Sequence, residues 1–272
     1  MKCDEARVCV IRVGGTNCDQ ETQRAFGDLG VRADVVHLND IVKRRSLLDY
    51  HALVFPGGFA YGDYVRAGAI LAKAVVVKLG KDLKQFAAEE RPIMGICNGF
   101  QILVEAGLLP AFDGPSVLPE ACLATNVPVG YRCMWVHLKH ENKGKCVFTR
   151  KIRKTTPLHV PVAHAEGRFI FDTEKREQYL KRLYENDQLV FRYCTEEGEY
   201  ADGKFPTNPN GAFHDVAGIC DSTGTVFGLM PHPERAYFGW QQPDWTKRQR
   251  IQEYGDGRLV FESVVDYLTR KF

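Results

Sequence analysis

A cysteine in a tight turn between a strand and a helix constrains this chain more than any other sequence feature. The turn 95–99 reads Gly-Ile-Cys-Asn-Gly. It follows the apolar run 92–94, typical of a buried strand, and precedes the apolar run 100–104, typical of a helix. Such a turn exposes its central side chain at the end of a sheet and places the thiol at a helix N-terminus, where the dipole favours thiolate. The sequence therefore predicts that Cys97 is a nucleophile on an α/β scaffold.

Short apolar strands alternate with amphipathic helices through the first hundred residues. The pattern predicts strands at 8–11, 34–37, 52–55 and 92–94, with helices at 19–29 and 68–89, the second interrupted near Gly80. Alternation of this kind builds βαβ units and a mainly parallel sheet. The predicted fold class is therefore α/β.

The second half of the chain lacks the regular alternation of strand and helix patterns. Residues 108–128 are rich in Pro, Gly and Ala and predict a loop, whereas 131–138 alternate and predict a half-buried antiparallel strand. Further segments are predicted as strands at 158–160, 168–171, 189–193, 216–220 and 226–230, and as helices at 174–184 and 259–268. No internal repeat or linker separates the halves, so we expect one domain over 1–272, with a core at about 7–237 and a terminal helix at about 258–270. The segment 238–258 gives no clear pattern.

Composition excludes several classes of protein. The net charge of +2 gives no basic field for nucleic acid. Nine scattered cysteines without a Cys-x-x-Cys pair argue against a disulfide framework and against zinc, so we expect a reducing, cytoplasmic location and no metal. The first residues lack an apolar signal region, and no apolar run approaches the roughly 20 residues of a membrane span. Most of the cysteines other than Cys97 are interpreted as small buried side chains.

A thiol nucleophile needs a base, and the base needs a group that orients it. The segment Pro-His-Pro-Glu supplies both as His232 and Glu234. It follows the predicted strand 226–230, and ligand sites in open α/β sheets gather beyond the carboxyl ends of strands. We therefore expect His232 and Glu234 to lie at the same edge of the sheet as Cys97.

Acyl transfer also needs N–H donors for the oxyanion of a tetrahedral intermediate. The backbone N–H of Asn98 is one candidate because it opens the helix after Cys97. The glycine-rich turn after the strand 52–55 offers another, at Gly58 or Phe59. These three residues are the predicted oxyanion hole.

The turn around Cys97, with Gln101 four residues on and the distant Pro-His232-Pro-Glu234, resembles the class I, or triad, glutamine amidotransferases. The resemblance extends to the glutaminase subunits of phosphoribosylformylglycinamidine synthase. It is carried by the further motifs Gly15-Thr-Asn-Cys-Asp19, Pro56-Gly-Gly-Phe-Ala-Tyr-Gly-Asp63, Ala165-Glu-Gly-Arg-Phe169, Asn208-Pro-Asn-Gly211 and Met230-Pro-His-Pro-Glu-Arg235. As a set these motifs span most of the chain. The chain has Gly14-Gly15 where the family often has Pro-Gly, and the part after Tyr237 has no clear counterpart.

The resemblance implies a flavodoxin-like, three-layer fold and hydrolysis of glutamine by Cys97, His232 and Glu234. It implies that Gln101, Arg168 and Phe169 lie near the substrate or the partner. It also implies that ammonia passes to a large synthetase subunit, with a small accessory subunit in the complex. The synthetase would bind ATP and Mg²⁺ and convert formylglycinamide ribonucleotide to the amidine in purine synthesis, so this chain itself needs no cofactor.

Two other functions are compatible with parts of the pattern. A γ-glutamyl hydrolase or peptidase would use the same triad without transferring ammonia. The motifs at 57–63 and 208–211 argue against it because they match the synthase subunits. A non-catalytic module with a sensor cysteine would need only the thiol, and would leave His232 and Glu234 unexplained.

Overall fold

The computed structural model describes residues 1–44, 46–247 and 252–272, and eleven strands and six α-helices lie within them. The strands are β1 (Arg7–Arg12), β2 (Arg32–His37), β3 (Ala52–Phe55), β4 (Ile93–Ile96), β5 (Cys122–Ala124), β6 (Arg132–His140), β7 (Leu158–His164), β8 (Arg168–Ile170), β9 (Leu189–Cys194), β10 (Val216–Cys220) and β11 (Val226–Leu229). The helices are α1 (Asp19–Asp28), α2 (Leu38–Arg44), α3 (Ala69–Ala88), α4 (Asn98–Glu105), α5 (Arg176–Glu185) and α6 (Arg258–Lys271).

Nine of the described strands form one mixed sheet, in the order β2-β1-β3-β4-β11-β10-β9-β6-β7. The pairings from β2 to β11 are parallel, and they begin with the 2-1-3-4 order of flavodoxin-like sheets. The pairings from β11 to β7 are antiparallel. The strands β5 and β8 form a separate antiparallel ribbon. The predicted α/β class, with a parallel centre and an antiparallel portion, is confirmed.

The central strands are apolar because both faces of the sheet are covered there. Every residue of β3, β4 and β11 is buried, as is every residue of α4. One cluster of buried apolar residues runs from Ala6 to Leu268.

Two local predictions need correction. The helix α3 continues through Gly80 without a break, since a single glycine lowers helix stability only modestly. The predicted loop 108–128 contains β5, which pairs with β8 because Leu123 and Phe169 are both buried. The short helix α2 was not predicted, because its sequence shows no helix pattern that we recognised. In the unassigned segment 238–258, single 3₁₀ turns form at Gly239–Gln241 and Trp245–Lys247, and residues 248–251 lie outside the described residues.

Three neighbouring parallel strands end at the same edge of the sheet. The strand β3 is followed by Gly57 and Gly58, β4 by Cys97, and β11 leads to His232. Parallel register aligns Phe55 with Gly95 and Ile96 with Leu229. The topology therefore gathers the predicted catalytic segments at one edge.

Membrane insertion through a helix finds no support in the described part of the chain. None of the described helices is both long and apolar enough to cross a bilayer.

Two glycines should respond in opposite ways to alanine. Gly80 has no neighbouring atom within 4 Å of an added Cβ, so Gly80→Ala should raise the free energy of unfolding by about 0.5–1 kcal/mol through helix propensity. Gly99 would place a Cβ 1.8 Å from the Phe55 carbonyl oxygen, so Gly99→Ala should lower it by about 3 kcal/mol or more. Urea unfolding measures both. An unchanged stability of Gly99→Ala would contradict the close packing of α4 on β3.

Candidate active site

The turn at Cys97 has the backbone conformation of a nucleophile elbow. Cys97 has φ 53° and ψ −106°, a region that costs a non-glycine residue about 1–3 kcal/mol. Its N–H donates to the Leu229 carbonyl at 2.8 Å, which fixes the turn to β11. A Cβ on Gly95 would lie 2.5 Å from the Gly99 carbonyl oxygen, so only small residues fit on either side of the turn. The structure thus places the thiol at the start of α4, where the sequence predicts it.

His232 and Glu234 form a buried pair at the same edge. His232 Nδ1 lies 2.5 Å from Glu234 Oε1, and the two residues are 2% and 1% exposed. The backbone N–H of His232 donates to the Pro161 carbonyl at 2.8 Å, which anchors the segment to β7. Glu234 therefore receives the proton on Nδ1, and among the described residues Nε2 has no hydrogen-bond partner.

The charges around His232 favour its protonated form. Burial acts to lower its pKa, but the Glu234 carboxylate and the neighbouring Cys97 side chain outweigh burial, so the pKa of His232 is raised well above its usual value. The Cys97 thiol itself donates to the Ala163 carbonyl at 3.5 Å. The imidazole is thus close enough to Cys97 for their charges to interact, and it can hold a proton beside the sulfur.

A second thiol lies beside the imidazole. Cys18 Sγ is 3.8 Å from His232 Nδ1. Burial raises the pKa of Cys18 to about 11, so this thiol stays protonated and is a poor nucleophile. Gly57 packs against both side chains, because a Cβ there would lie 2.6 Å from His232 Cε1 and 3.1 Å from Cys18 Sγ.

Cys18, His232 and Glu234 present one sulfur, one nitrogen and one oxygen within 4.8 Å of one another. Ligands at typical zinc distances of about 2.0–2.3 Å in a tetrahedron are more than 3 Å apart. The 2.5 Å contact between Nδ1 and Oε1 is too short for that arrangement. In the observed geometry a hydrogen bond joins the two groups that a metal would have to separate.

Two backbone N–H groups near Cys97 are free to donate: that of Asn98, the next residue, and that of Gly58, which lines the same cavity as Cys97. The N–H groups of Gly58 and Asn98 have no hydrogen-bond partner among the described residues. Gly58 has φ 151°, and a Cβ would lie 2.6 Å from the Gly15 carbonyl oxygen, so the position requires glycine. The third predicted donor is occupied, since the N–H of Phe59 donates to the Gly15 carbonyl at 2.7 Å. Gly58 and Asn98 are thus the available donors, and Phe59 is not.

A cavity of about 170 Å³ opens beside the thiol. Its lining includes Cys97, Gly58, Gln101 and the end of β7. Gln101 lies there as predicted, but both ends of its amide are occupied: Oε1 accepts from Asn98 Nδ2 at 2.9 Å and Nε2 donates to the Glu166 carbonyl. Gln101 therefore holds the wall of the cavity in place.

Two predicted substrate-binding residues lie outside this cavity. Phe169 is fully buried and packs against Phe100 and Phe171, with ring centroids 6.3 Å and 4.9 Å away. Arg168 Nε donates to the Thr125 carbonyl at 3.0 Å. The structure therefore gives Phe169 a place in the core and Arg168 a place in a loop contact, rather than contact with a ligand at Cys97.

Sequence reasoning missed His164, which ends β7 and lines the cavity. Burial, aided by the charges of His232 and Arg132, lowers the pKa of His164 to about 3, so its ring is neutral. A signal was present, because His164 directly precedes the motif 165–169. His164 was not predicted because β7 is antiparallel to its neighbour β6, so the rule for parallel strand ends does not cover it.

Two asparagines hold the loop that follows His164. Asn126 Nδ2 donates to the His164 carbonyl at 2.9 Å, and Asn126 Oδ1 accepts the N–H of Gly167 at 2.9 Å. Asn210 Nδ2 donates to the Gly167 carbonyl at 2.8 Å. The motif 208–211 therefore does not line the cavity itself, but holds the loop whose residues 164–166 do.

A second cavity of about 360 Å³ lies on the other side of Gly58. Its lining includes Cys18, Tyr131, His232 and Arg235. Gly58, Phe59 and Ala163 line both cavities, so the two cavities are neighbours.

Known proteins share the sequence and the fold over nearly their whole length. The model of the CobB/CobQ-like glutamine amidotransferase domain matches residues 5–268. The phosphoribosylformylglycinamidine synthase subunit PurQ of Archaeoglobus fulgidus is 49% identical over 99% of this chain and 100% of its own, and that of Methanococcus maripaludis is 41% identical over 97% and 98%.

Among solved structures, a chain of the PurLQS structure from Thermotoga maritima has a TM-score of 0.72 and 32% identity, covering 97% of this chain and 99% of that one. The protein described here therefore belongs to the CobB/CobQ-like glutamine amidotransferase family and, within it, to the PurQ subunits of phosphoribosylformylglycinamidine synthase.

Proposed function

We propose that this chain hydrolyses glutamine to glutamate and ammonia, with Cys97, His232 and Glu234 as the catalytic groups. The observation that carries the proposal is the strained Cys97 turn beside the buried His232–Glu234 pair, with two free N–H groups near Cys97. The match to a glutamine amidotransferase domain supports the same activity.

In the first half of the reaction, the Cys97 sulfur attacks the carboxamide carbon of glutamine. The carbonyl oxygen gains the negative charge and accepts hydrogen bonds from the N–H groups of Gly58 and Asn98. His232, protonated by the thiol proton, gives that proton to the amide nitrogen, the C–N bond breaks, and ammonia leaves. The product on the protein is a γ-glutamyl thioester on Cys97.

In the second half, His232 takes a proton from water, whose oxygen attacks the thioester carbon. The C–S bond breaks, glutamate leaves, and the proton returns to the sulfur. Glu234 holds Nδ1 throughout, so Nε2 is the nitrogen that exchanges protons with Cys97 and water.

We further propose that the ammonia passes to a large synthetase subunit that forms the amidine from formylglycinamide ribonucleotide with ATP and Mg²⁺, in the cytoplasm, and that a small accessory subunit completes the assembly. The similarity to a chain of the PurLQS structure supports association with a synthetase subunit. Exposed apolar side chains near the site suit such a contact: Phe59, Tyr64, Val65, Val129 and Tyr131 are all exposed.

The sequence left two alternatives. A γ-glutamyl hydrolase that acts alone finds no support in the relatives, which are named as synthase subunits. A sensor module would have no use for a buried histidine hydrogen-bonded to a buried carboxylate. The glutaminase is the function that uses every part of this site.

Loss of the nucleophile should abolish the use of glutamine but leave the synthetase reaction with ammonia intact. In the complex with the synthetase, Cys97→Ala should lower glutamate release at least about 10³-fold, because no thioester can form. Added ammonium salt should still support product formation, which shows that the fold and the partner are intact. The exposed Cys133 offers a matched control, and Cys133→Ala should behave as wild type. Glutamate release at the wild-type rate by Cys97→Ala would contradict the proposal.

The packing of Gly57 against the His232 imidazole gives a second test. Gly57→Ala should displace His232, because the new Cβ would lie 2.6 Å from Cε1, and kcat for glutamine hydrolysis should fall about 10–100-fold. Gly14 has no atom within 4 Å of an added Cβ, so Gly14→Ala is the control. If Gly57→Ala kept the wild-type kcat while remaining folded, the observed position of His232 would not be the catalytic one.

A further inference from the structure

The thiol of Cys18 contacts the catalytic imidazole but takes no part in the hydrolytic steps. Its sulfur lies 3.8 Å from His232 Nδ1, and the residue is 1% exposed. Because burial raises the pKa of Cys18 to about 11, the thiol neither attacks a substrate nor carries charge at neutral pH. Any effect of Cys18 on the reaction therefore passes through the imidazole.

The backbone holds this sulfur in place. Cys18 directly precedes α1, and its N–H donates to the Gly57 carbonyl at 3.0 Å. The Cys18 carbonyl accepts from the N–H of Thr22 at 3.1 Å and from its hydroxyl at 2.7 Å. The start of α1 is thereby tied to the turn after β3. A Cβ on Gly57 would lie 3.1 Å from Sγ, so the sulfur has little space in which to move away from the ring.

Cys18 also lies between the Glu234 carboxylate and the larger cavity. Cys18 and His232 both line the cavity of about 360 Å³, whereas Glu234 does not. The sulfur and a Glu234 carboxylate oxygen lie within 4.8 Å of each other, so the thiol forms part of the wall that covers the carboxylate.

The Glu234 carboxylate is sensitive to water because one of its oxygens is unused. Its side chain is 0% exposed, and among the described residues Oε2 has no hydrogen-bond partner. A water that reached Oε2 would donate to it and would raise the local dielectric, and both effects weaken the attraction of the carboxylate for His232. Exclusion of water from this pair therefore favours the orientation of the imidazole.

We propose that Cys18 is a positioning residue of the reaction, whose sulfur keeps water from the His232–Glu234 pair and restricts the tilt of the imidazole. The inference rests on the proposed function. Glu234 holds Nδ1 through one hydrogen bond, about which the ring can still tilt. The sulfur and Gly57 pack against the Nδ1 and Cε1 atoms and oppose that tilt, which keeps Nε2 available to Cys97. Removal of the sulfur would leave a gap beside a buried polar pair, which water from the neighbouring cavity can fill.

The test compares two substitutions of Cys18 in the complex with the synthetase. Cys18→Ala removes the sulfur, and kcat for glutamine hydrolysis should fall about tenfold because the ring is less well oriented. KM should change by less than about twofold, since Cys18 does not line the cavity beside Cys97. Cys18→Ser places an oxygen where the sulfur was, and its kcat should stay within about threefold of wild type.

Cys194→Ala is the matched control, because it removes the same atom from another cysteine that is 1% exposed and that lines neither cavity. Its kcat should equal that of the wild type, and circular dichroism checks the folding of every variant. Cys18→Val perturbs the ring by pushing on it and should also lower kcat with KM unchanged, so it decides the question if Cys18→Ala does not fold.

Three results would overturn the inference. They are a wild-type kcat in folded Cys18→Ala or Cys18→Val, a loss that appears in KM instead of kcat, and a loss in Cys18→Ser as large as that in Cys18→Ala. Failure of the proposed function would look different, because the wild-type complex would then release no glutamate from glutamine at all.

Discussion

The packing of backbone against backbone at Gly95 and Gly99 is the constraint on which the site depends. Gly99 lies so close to Phe55 that a Cβ would lie 1.8 Å from its carbonyl oxygen, and this closeness brings the start of α4 against the end of β3. The N–H of Asn98 thus follows the thiol at the start of α4, and Gly58, after the end of β3, lines the same cavity as Cys97. The strain at Cys97 is tolerated because the fully buried α4 and the hydrogen bond to Leu229 hold the turn in place.

The site assigns opposite protonation states to its two buried histidines. Glu234 and Cys97 raise the pKa of His232, whereas burial, with the positive charges of His232 and Arg132, lowers the pKa of His164. A charged ring beside the sulfur suits proton transfer, and a neutral ring in the substrate cavity suits hydrogen bonding. Cys18 lies beside the same imidazole, and burial raises the pKa of its thiol, so Cys18 stays protonated.

The sequence predicted the parts of the molecule that follow from local patterns. The alternation of strands and helices and the turn at Cys97 were readable because each depends on residues close in the chain. The cavity was not, because Asp63, His164 and Glu166 come from two distant loops that meet only in the folded chain. The prediction that Phe169 lies near the substrate failed for the same reason. Its motif runs beside the site, but its side chain is buried in the core. The sequence did not show whether Gly58 or Phe59 supplies the second oxyanion donor. The structure shows that the N–H of Phe59 is occupied by the Gly15 carbonyl, which leaves Gly58.

A covalent intermediate on a single thiol is the central claim, and mass spectrometry of the acid-quenched complex with glutamine tests it most directly. The account predicts a γ-glutamyl adduct on the peptide that contains Cys97, and none on the peptides that contain the other eight cysteines, including Cys18 beside His232. A γ-glutamyl adduct on Cys18, or continued glutamate release from a protein whose Cys97 has been blocked, would contradict it.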